Sequence, residues 1–198
     1  MSPRQKGKTI LLGVTGSIAA YKAAEIASAL AKQGHAVHVL MTRAATRFVV
    51  PLTFHTLTKN PVIVDLFAEE RSGVPTHIEL ADAADLLLIA PATANVLAKL
   101  ALGLADDALS ATALACRAPL LLAPAMNGNM WRHPATQANI RTLQERGAKL
   151  IGPEEGALAC GYEGLGRLWS VEGILDAARK ILEPSSRLSG ERRVRAAG

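Results

Sequence analysis

The sequence predicts an α/β fold: a parallel sheet with helices packed on both faces. Three observations carry that expectation. Apolar runs of strand length, such as Thr9–Val14 and Asp85–Ala90, are nearly continuous rather than alternating, as strands covered on both faces require. Stretches of helical length separate these runs, and strand and helix alternate along the chain. Glycine, serine, proline and asparagine stand at the junctions.

Thr9–Val14 reads as the first strand, followed by Thr15-Gly16-Ser17 and a helix from about Ile18 to Lys32. Ser17 is the expected N-cap, and Gly34 the expected stop. Ala36–Met41 is the second strand. A helical piece around Leu52–Thr58 leads to a short third strand at Val62–Val64. His77 stands just before a helical stretch, Ile78–Asp82, and Asp85–Ala90 is the clearest buried strand after the first. Helices over 94–101 and 106–116 lead into the strand Pro119–Ala123. A helix over 134–146 ends at Gly147, and Lys149–Ile151 makes a last strand. Residues 171–182 form a closing amphipathic helix with Ile174, Leu175, Ala178, Ile181 and Leu182 on one side.

These elements are expected to form one domain over residues 1–183, which a chain of 198 residues with 49% hydrophobic content can supply with a core. From Pro184 the composition turns to serine and arginine, so 184–198 reads as a basic linker or tail, or as the stub of a second domain.

The formal net charge of +5 suggests nucleic acid until it is located. Arg4, Lys6 and Lys8 carry it at one end, and Arg187, Arg192, Arg193 and Arg195 at the other, while the residues between are balanced. A nucleic-acid reader shows its basic stripe on the folded face, and aromatic residues for base stacking amount to only 4% here. No apolar run approaches the ~20 residues of a membrane span. Met1–Lys8 is basic and polar, unlike a signal peptide. Cys116 and Cys160 form neither a disulfide framework nor a metal-ligand pattern. A cytoplasmic protein with no nucleic-acid, membrane or metal partner is expected.

Four segments carry chemistry. In Pro124-Ala125-Met126-Asn127-Gly128-Asn129-Met130-Trp131 an amide stands where an apolar strand ends, the place where ligands of open α/β sheets collect. Asn127 there donates to a carboxylate without adding charge; Asn-Gly is equally a turn signal. In Gly13–Ala20, backbone N–H groups at a helix N-terminus favour a phosphate. The third glycine of a dinucleotide fingerprint is replaced by Ala19, and Met41-Thr42-Arg43 stands where a ribose-binding acid belongs. A single phosphate suits this loop better than a dinucleotide, and a purely structural turn is the other reading. Thr93 and Asn95, in Pro91-Ala92-Thr93-Ala94-Asn95, suit a phosphate or a heterocycle edge, or simply cap the next helix. Cys160, in Ala159-Cys160-Gly161-Tyr162-Glu163-Gly164-Leu165-Gly166, is a thiol in a glycine-rich loop able to fold over a ligand, or an incidental thiol. His77 is a general base if it faces a pocket and a structural histidine otherwise.

Together these segments resemble the homo-oligomeric flavin-containing cysteine decarboxylases, and within them the branch that acts on phosphopantothenoylcysteine in coenzyme A biosynthesis. The resemblance runs from about Lys8 to Leu182. It is carried by Gly16–Lys22, His77-Ile78, Pro91–Asn95, Gly103–Asp106, Pro124–Trp131 and Ala159–Gly166. It implies a Rossmann-like, flavodoxin-like three-layer sandwich and an FMN cofactor held by Gly16, Ser17, Thr42, Phe48, Thr93 and Asn95, with Ala125 and Met126 beside it. It further implies His77 as catalytic base, Asn127 as carboxylate ligand and Cys160 as proton donor in a lid, with Met130 and Ala159 near the substrate. The product would be 4′-phosphopantetheine, made by a trimer or a dodecamer of trimers, with a synthetase domain fused or separate. A peptidyl-cysteine decarboxylase of lantibiotic type and a non-catalytic regulatory subunit are the alternatives. Cys160 speaks against the first. Retention of both His77 and Cys160, with an arginine-rich rather than acidic end, speaks against the second.

Overall fold

Six parallel strands in the order β3-β2-β1-β4-β5-β6 form the centre of the computed structural model, which describes residues 7–66, 76–157 and 163–183. They are β1 (Thr9–Val14), β2 (Ala36–Met41), β3 (Val62–Ile63), β4 (Leu86–Ala92), β5 (Leu120–Pro124) and β6 (Lys149–Leu150). Register is fixed at the middle of the sheet, where Ile10 pairs with both Val37 and Leu86. The helices between strands are α1 (Ala20–Lys32), α2 (Pro51–Thr58), α3 (Thr76–Ala83), α4 (Ala94–Leu102), α5 (Ala108–Ala115), α6 (Gly128–Arg132) and α7 (Pro134–Glu145). An antiparallel pair, β7 (Glu154–Ala157) and β8 (Glu163–Arg167), and the helix α8 (Val171–Leu182) follow. The architecture is the expected three-layer sandwich, with the strand order of Rossmann sheets.

The near-continuous hydrophobicity of the strands follows from side chains that alternate between two covered faces. Ile10, Leu12 and Val14 of β1 pack in one core with Ile26 and Leu30 of α1, Phe54 of α2, and Ile174 and Ala178 of α8. Leu11, one position out of phase, joins the other core with Leu87 and Ile89 of β4, Leu97 of α4, Leu109 of α5 and Leu143 of α7. Each of these large side chains contributes roughly 1.5–3 kcal/mol by leaving water. The apolar face read into 171–182 is the one that α8 buries: Ile174 and Ala178 are fully covered, and Leu175, Ile181 and Leu182 pack beside them.

Several boundaries differ from the sequence reading, each for a local reason. Helix α1 starts at Ala20 rather than Ile18, because Ser17 closes a turn: its hydroxyl accepts from the Ala19 amide at 3.2 Å and its carbonyl from the Ala20 amide at 2.9 Å. Ala19, not Ser17, is therefore the N-cap. Helix α5 starts at Ala108 rather than 106, because Asp107 caps it. Strand β4 runs past a cis Ala90–Pro91 bond to Ala92. His77 lies inside the first turn of α3 rather than before it. Two strands, β7 and β8, flank what the sequence showed only as a glycine-rich loop. No helix among the described residues is long and apolar enough to cross a membrane.

Asp85 pins the start of the sheet. Its carboxylate accepts from the Thr9 amide at 2.8 Å and from Lys8 Nζ at 3.1 Å. The Thr9 hydrogen bond, aided by Lys8 and opposed by partial burial, holds its pKa below the ordinary carboxylate value. Such a group stabilises the fold above its unfolded pKa and loses that contribution as pH falls through the lower native value. Asp85→Asn is expected to cost on the order of 1 kcal/mol at neutral pH, modest because the pair is partly solvated. Urea denaturation should show the gap from wild type closing below about pH 4. An equal gap at all pH values would mean that shape, not charge, matters at this position.

Candidate functional site

Strand order reverses between β1 and β4: the chain leaves β1 toward β2 on one side, and β4 pairs on the other. The connections that follow these two strands diverge, and a crevice forms at their carboxyl ends. A cavity of about 830 Å³ lies there. Gly16 and Ser17 after β1, Thr42 after β2, Thr93 and Asn95 after β4, and Ala125 and Met126 after β5 all line it. Met130 of α6 lines it as well and is half-exposed.

The loops are held by one another. Thr15 Oγ1 donates to the Pro91 carbonyl at 2.7 Å and accepts from the Thr93 amide at 3.2 Å, so a single buried hydroxyl ties the turn after β1 to the end of β4 and the turn beyond it. Gly16 passes so close to Ala44 that a Cβ at 16 would overlap the alanine methyl. Thr42 turns the chain after β2: its amide donates to the Val14 carbonyl at 3.0 Å, and its hydroxyl accepts from the Ala45 amide at 3.3 Å. Thr93 caps α4, accepting from the Val96 amide at 3.4 Å, as one of its two readings required. The first turn of α4 lines this cavity, as does the Gly16–Ser17 turn that leads into α1, and a helix dipole there favours an anion.

At the end of β5, Asn127 is the N-cap of α6, its Oδ1 accepting from the Asn129 amide at 2.8 Å. The turn signal of Asn-Gly thus becomes a helix start, and the cap fixes the orientation of the carboxamide. Strand β8 is seated on this same segment. The Met126 amide donates to the Gly166 carbonyl at 2.9 Å, and a Cβ at Gly166 would overlap the Met126 carbonyl. A Cβ at Gly128 would meet the Leu165 carbonyl at 2.8 Å. Two glycines therefore let backbone rest on backbone, and β8 is registered against Asn127. Ala159 and Cys160 lie outside the described residues.

Three expected site residues are not on the cavity wall. Phe48 is half-exposed and absent from the lining. Neither Asn127 nor His77 is among the described residues that line it. His77 Nδ1 is buried without a hydrogen-bond partner among the described residues. A buried polar atom left so costs about 1–3 kcal/mol unless a ligand or another chain completes it.

The cavity also holds residues that the sequence reading passed over: Thr15, Arg43, Asp65, Lys99 and Asp107. Arg43 and Asp65 face each other loosely at 3.7 Å. Lys99 Nζ contacts Asp106 at 2.6 Å and Asp107 at 2.7 Å. Burial alone would lower the Lys99 pKa, but the two carboxylates outweigh it and the ammonium is held above its ordinary value. Burial likewise opposes the Asp107 charge, yet Lys99 and Ser110 keep that carboxylate below its ordinary value. The available signal was spacing: Lys99 follows Asn95 by four residues, hence on the same helix face.

Residues 2–183 match the flavoprotein family. The chain is 49% identical over 193 residues to the coenzyme A biosynthesis bifunctional protein CoaBC of Bacillus subtilis, covering 96% of this chain and 48% of that one. It is 49% identical over 177 residues to a probable phosphopantothenoylcysteine decarboxylase of Streptococcus mutans, covering 88% of this chain and 99% of that protein. The chain thus spans about half the length of the bifunctional relative and essentially all of the shorter one. Among solved structures, it resembles a cysteine-to-serine variant of PPC decarboxylase complexed with pantothenoylaminoethenethiol. The TM-score is 0.82 and identity 31%, over 90% of this chain and 100% of that one. It also resembles SpaF, an FMN-dependent cysteine decarboxylase, with TM-score 0.72 and 33% identity, over 88% of this chain and 98% of that one.

The close approach at Gly16 gives a direct test of the loop packing. Gly16→Ala is expected to destabilise by about 1–3 kcal/mol, because the added methyl forces the Gly16 and Ala44 turns apart. An unchanged urea midpoint would show that the two turns separate freely.

Proposed function

The chain belongs to the flavoprotein family, and from that premise we propose that it binds FMN and decarboxylates 4′-phosphopantothenoylcysteine to 4′-phosphopantetheine. The observation that carries this reading is convergence. The segments after β1, β2, β4 and β5, distant in sequence, line one cavity at the reversal point of the sheet. The end-to-end match to the Streptococcus mutans relative and the likeness to a decarboxylase complexed with pantothenoylaminoethenethiol support the substrate class over a peptidyl one.

The residues present fit a flavin mononucleotide. Gly16 lines the cavity while packing too close to Ala44 for a Cβ, and Ser17, Thr42 and Thr93 bring hydroxyl-bearing side chains to the same cavity. The position that would hold a dinucleotide's ribose carries Thr42-Arg43 rather than an acid. Gly16, Ser17 and the first turn of α1 hold the phosphate; Thr42, Thr93 and Asn95 hold the rest, beside Ala125 and Met126. When bound, FMN supplies reversible hydride chemistry at the thiol-bearing carbon, which lets a carboxylate with no other electron sink depart as carbon dioxide.

The chain's own side chains position the substrate and move protons. Asn127 orients the carboxylate through a neutral amide, which avoids over-stabilising the charge that must be lost. His77 accepts the substrate proton on its imidazole. Cys160 returns a proton after carbon dioxide has left. Asn127 directly follows the lining residue Met126, whereas His77 lies off the cavity of its own chain, so in this reading a second copy supplies the imidazole. The reading is therefore a homo-oligomer, a trimer or a dodecamer of trimers, with each site between neighbours. Support comes from Ile18, Tyr21, Phe48, Val50 and Leu52, large apolar residues exposed in the segments that follow the cavity residues Ser17 and Ala44. The reaction belongs in the cytoplasm, with a synthetase unit, fused or separate, as the source of substrate.

Two variants test the assignment. His77→Asn should still bind FMN and turn yellow, yet fail to bleach with substrate in a stopped flow; bleaching at the wild-type rate would remove His77 as the base. Asn127→Asp sets like charges against each other and should weaken substrate binding by about 2 kcal/mol or more. Unchanged affinity by calorimetry would place the carboxylate elsewhere. A purified chain that takes up no FMN would overturn the whole reading.

A further inference from the structure

The cavity wall built by α4 and the start of α5 carries three charges in mutual contact. Lys99 stands one turn beyond Asn95, on the helix face that lines the cavity. Its side chain is only 17% exposed, so its charge requires partners, and it finds two: Asp106 at 2.6 Å and Asp107 at 2.7 Å. Asp107 is not free to swing away. Its Oδ1 accepts from the Ser110 amide at 2.8 Å while Ser110 Oγ accepts from the Asp107 amide at 3.1 Å, a reciprocal cap on α5. The α4–α5 connection is further closed by the Leu104 amide, which donates to the carbonyl of Lys99 itself at 2.9 Å.

The geometry thus puts two carboxylates, one of them locked in a helix cap, on the wall of a cavity whose other charged pair, Arg43 and Asp65, is already balanced. An anion entering this space meets a wall of charge −1 while Lys99 is present and −2 without it. We propose that Lys99 is a positioning and charge-compensating residue: it neutralises the cap of α5 and so makes this acidic wall compatible with an anionic flavin cofactor. The proposal rests on the reading of the cavity as an FMN site. It concerns a residue that touches the wall rather than the reacting atoms.

The experiment titrates the full chain, stripped of flavin, with FMN and follows flavin fluorescence. Lys99→Met should raise the FMN dissociation constant about tenfold or more, the size expected for one unit of charge in a partly buried setting. Lys99→Arg, which keeps the charge, should stay within about threefold of wild type. The double variant Lys99→Met/Asp107→Asn restores the wall to −1 and retains the cap, because Asn caps as well as Asp; it should recover most of the lost affinity. Asp106→Asn removes an exposed carboxylate outside the helix and leaves Asp107 to pair Lys99, and FMN should bind about threefold or more tightly. Wild-type affinity in Lys99→Met, a double variant as weak as Lys99→Met alone, or unchanged binding in Asp106→Asn would each overturn the proposal. If Lys99→Met does not fold, Asp106→Asn alone decides. Failure of the unsubstituted chain to bind FMN at all would instead sink the functional reading.

Discussion

The hydroxyl of Thr15 is fully buried, donates to the Pro91 carbonyl and accepts from the Thr93 amide. The bonds cross from the turn after β1 to the end of β4 and to the turn that follows it, where the two connections diverge at the reversal point of the sheet. Without this bridge, the Pro91 carbonyl and the Thr93 amide, both on the β4 side, would lose this partner, and the two segments would be free to settle at their own distance from each other. With it, Gly16, Ser17, Thr93 and Asn95 are set by one local geometry. A valine of the same shape could fill the space but satisfy neither backbone group. The cavity is therefore a consequence of one short side chain as much as of the sheet.

The sheet itself was legible because burial on both faces leaves a strong signal. Runs such as Leu86–Ile89 have few other uses in a chain of this size, and the six strands fall where the sequence puts them, within two residues at each end. The cavity-lining loops were legible for a related reason: glycine, serine, threonine and asparagine immediately after buried strands mark the ligand edge of such a sheet. What this reasoning could not resolve was which role a capping side chain plays. Thr93 caps a helix and lines the cavity, Asn127 caps one just beyond the lining residue Met126, and capping and ligand binding call for the same residue types.

The hairpin β7–β8 was not legible, and the cause is glycine. Gly156, Gly164 and Gly166 interrupt any alternation of apolar and polar residues, so the period-2 pattern of a strand never develops. Those same glycines are what the pairing needs. Gly166 has a positive φ of 148° and rests on the Met126 carbonyl, a contact that no side chain allows. Composition that reads as a loop is here the requirement for a close backbone joint. Lys99 was missed for the opposite reason: a lysine on a helix reads as a solvated surface group until its two aspartate partners, from the loop and N-cap that precede the next helix, are seen to enclose it.

Charge placement separates the parts of the site. The ends of β1, β4 and β5 present hydroxyls, amides and backbone groups; the acidic residues of the wall, Asp65, Asp106 and Asp107, are met by two bases, Arg43 and Lys99. A surface arranged this way recognises an anionic ligand through dipoles rather than through a salt bridge, which keeps the desolvation cost low and leaves the ligand's own charge available to chemistry. The imidazole of His77 fits the same economy. Its Nδ1 is buried and unmatched among the described residues, whereas the side-chain oxygens of Thr15, Ser17, Thr42, Thr93 and Asn127 each have a hydrogen-bond partner in their own chain. An isolated chain would retain that unmatched atom as a standing penalty. In the homo-oligomer proposed above, a neighbouring copy that met this atom would remove the penalty and bring the proposed base to the site, so assembly and catalysis would draw on one interaction.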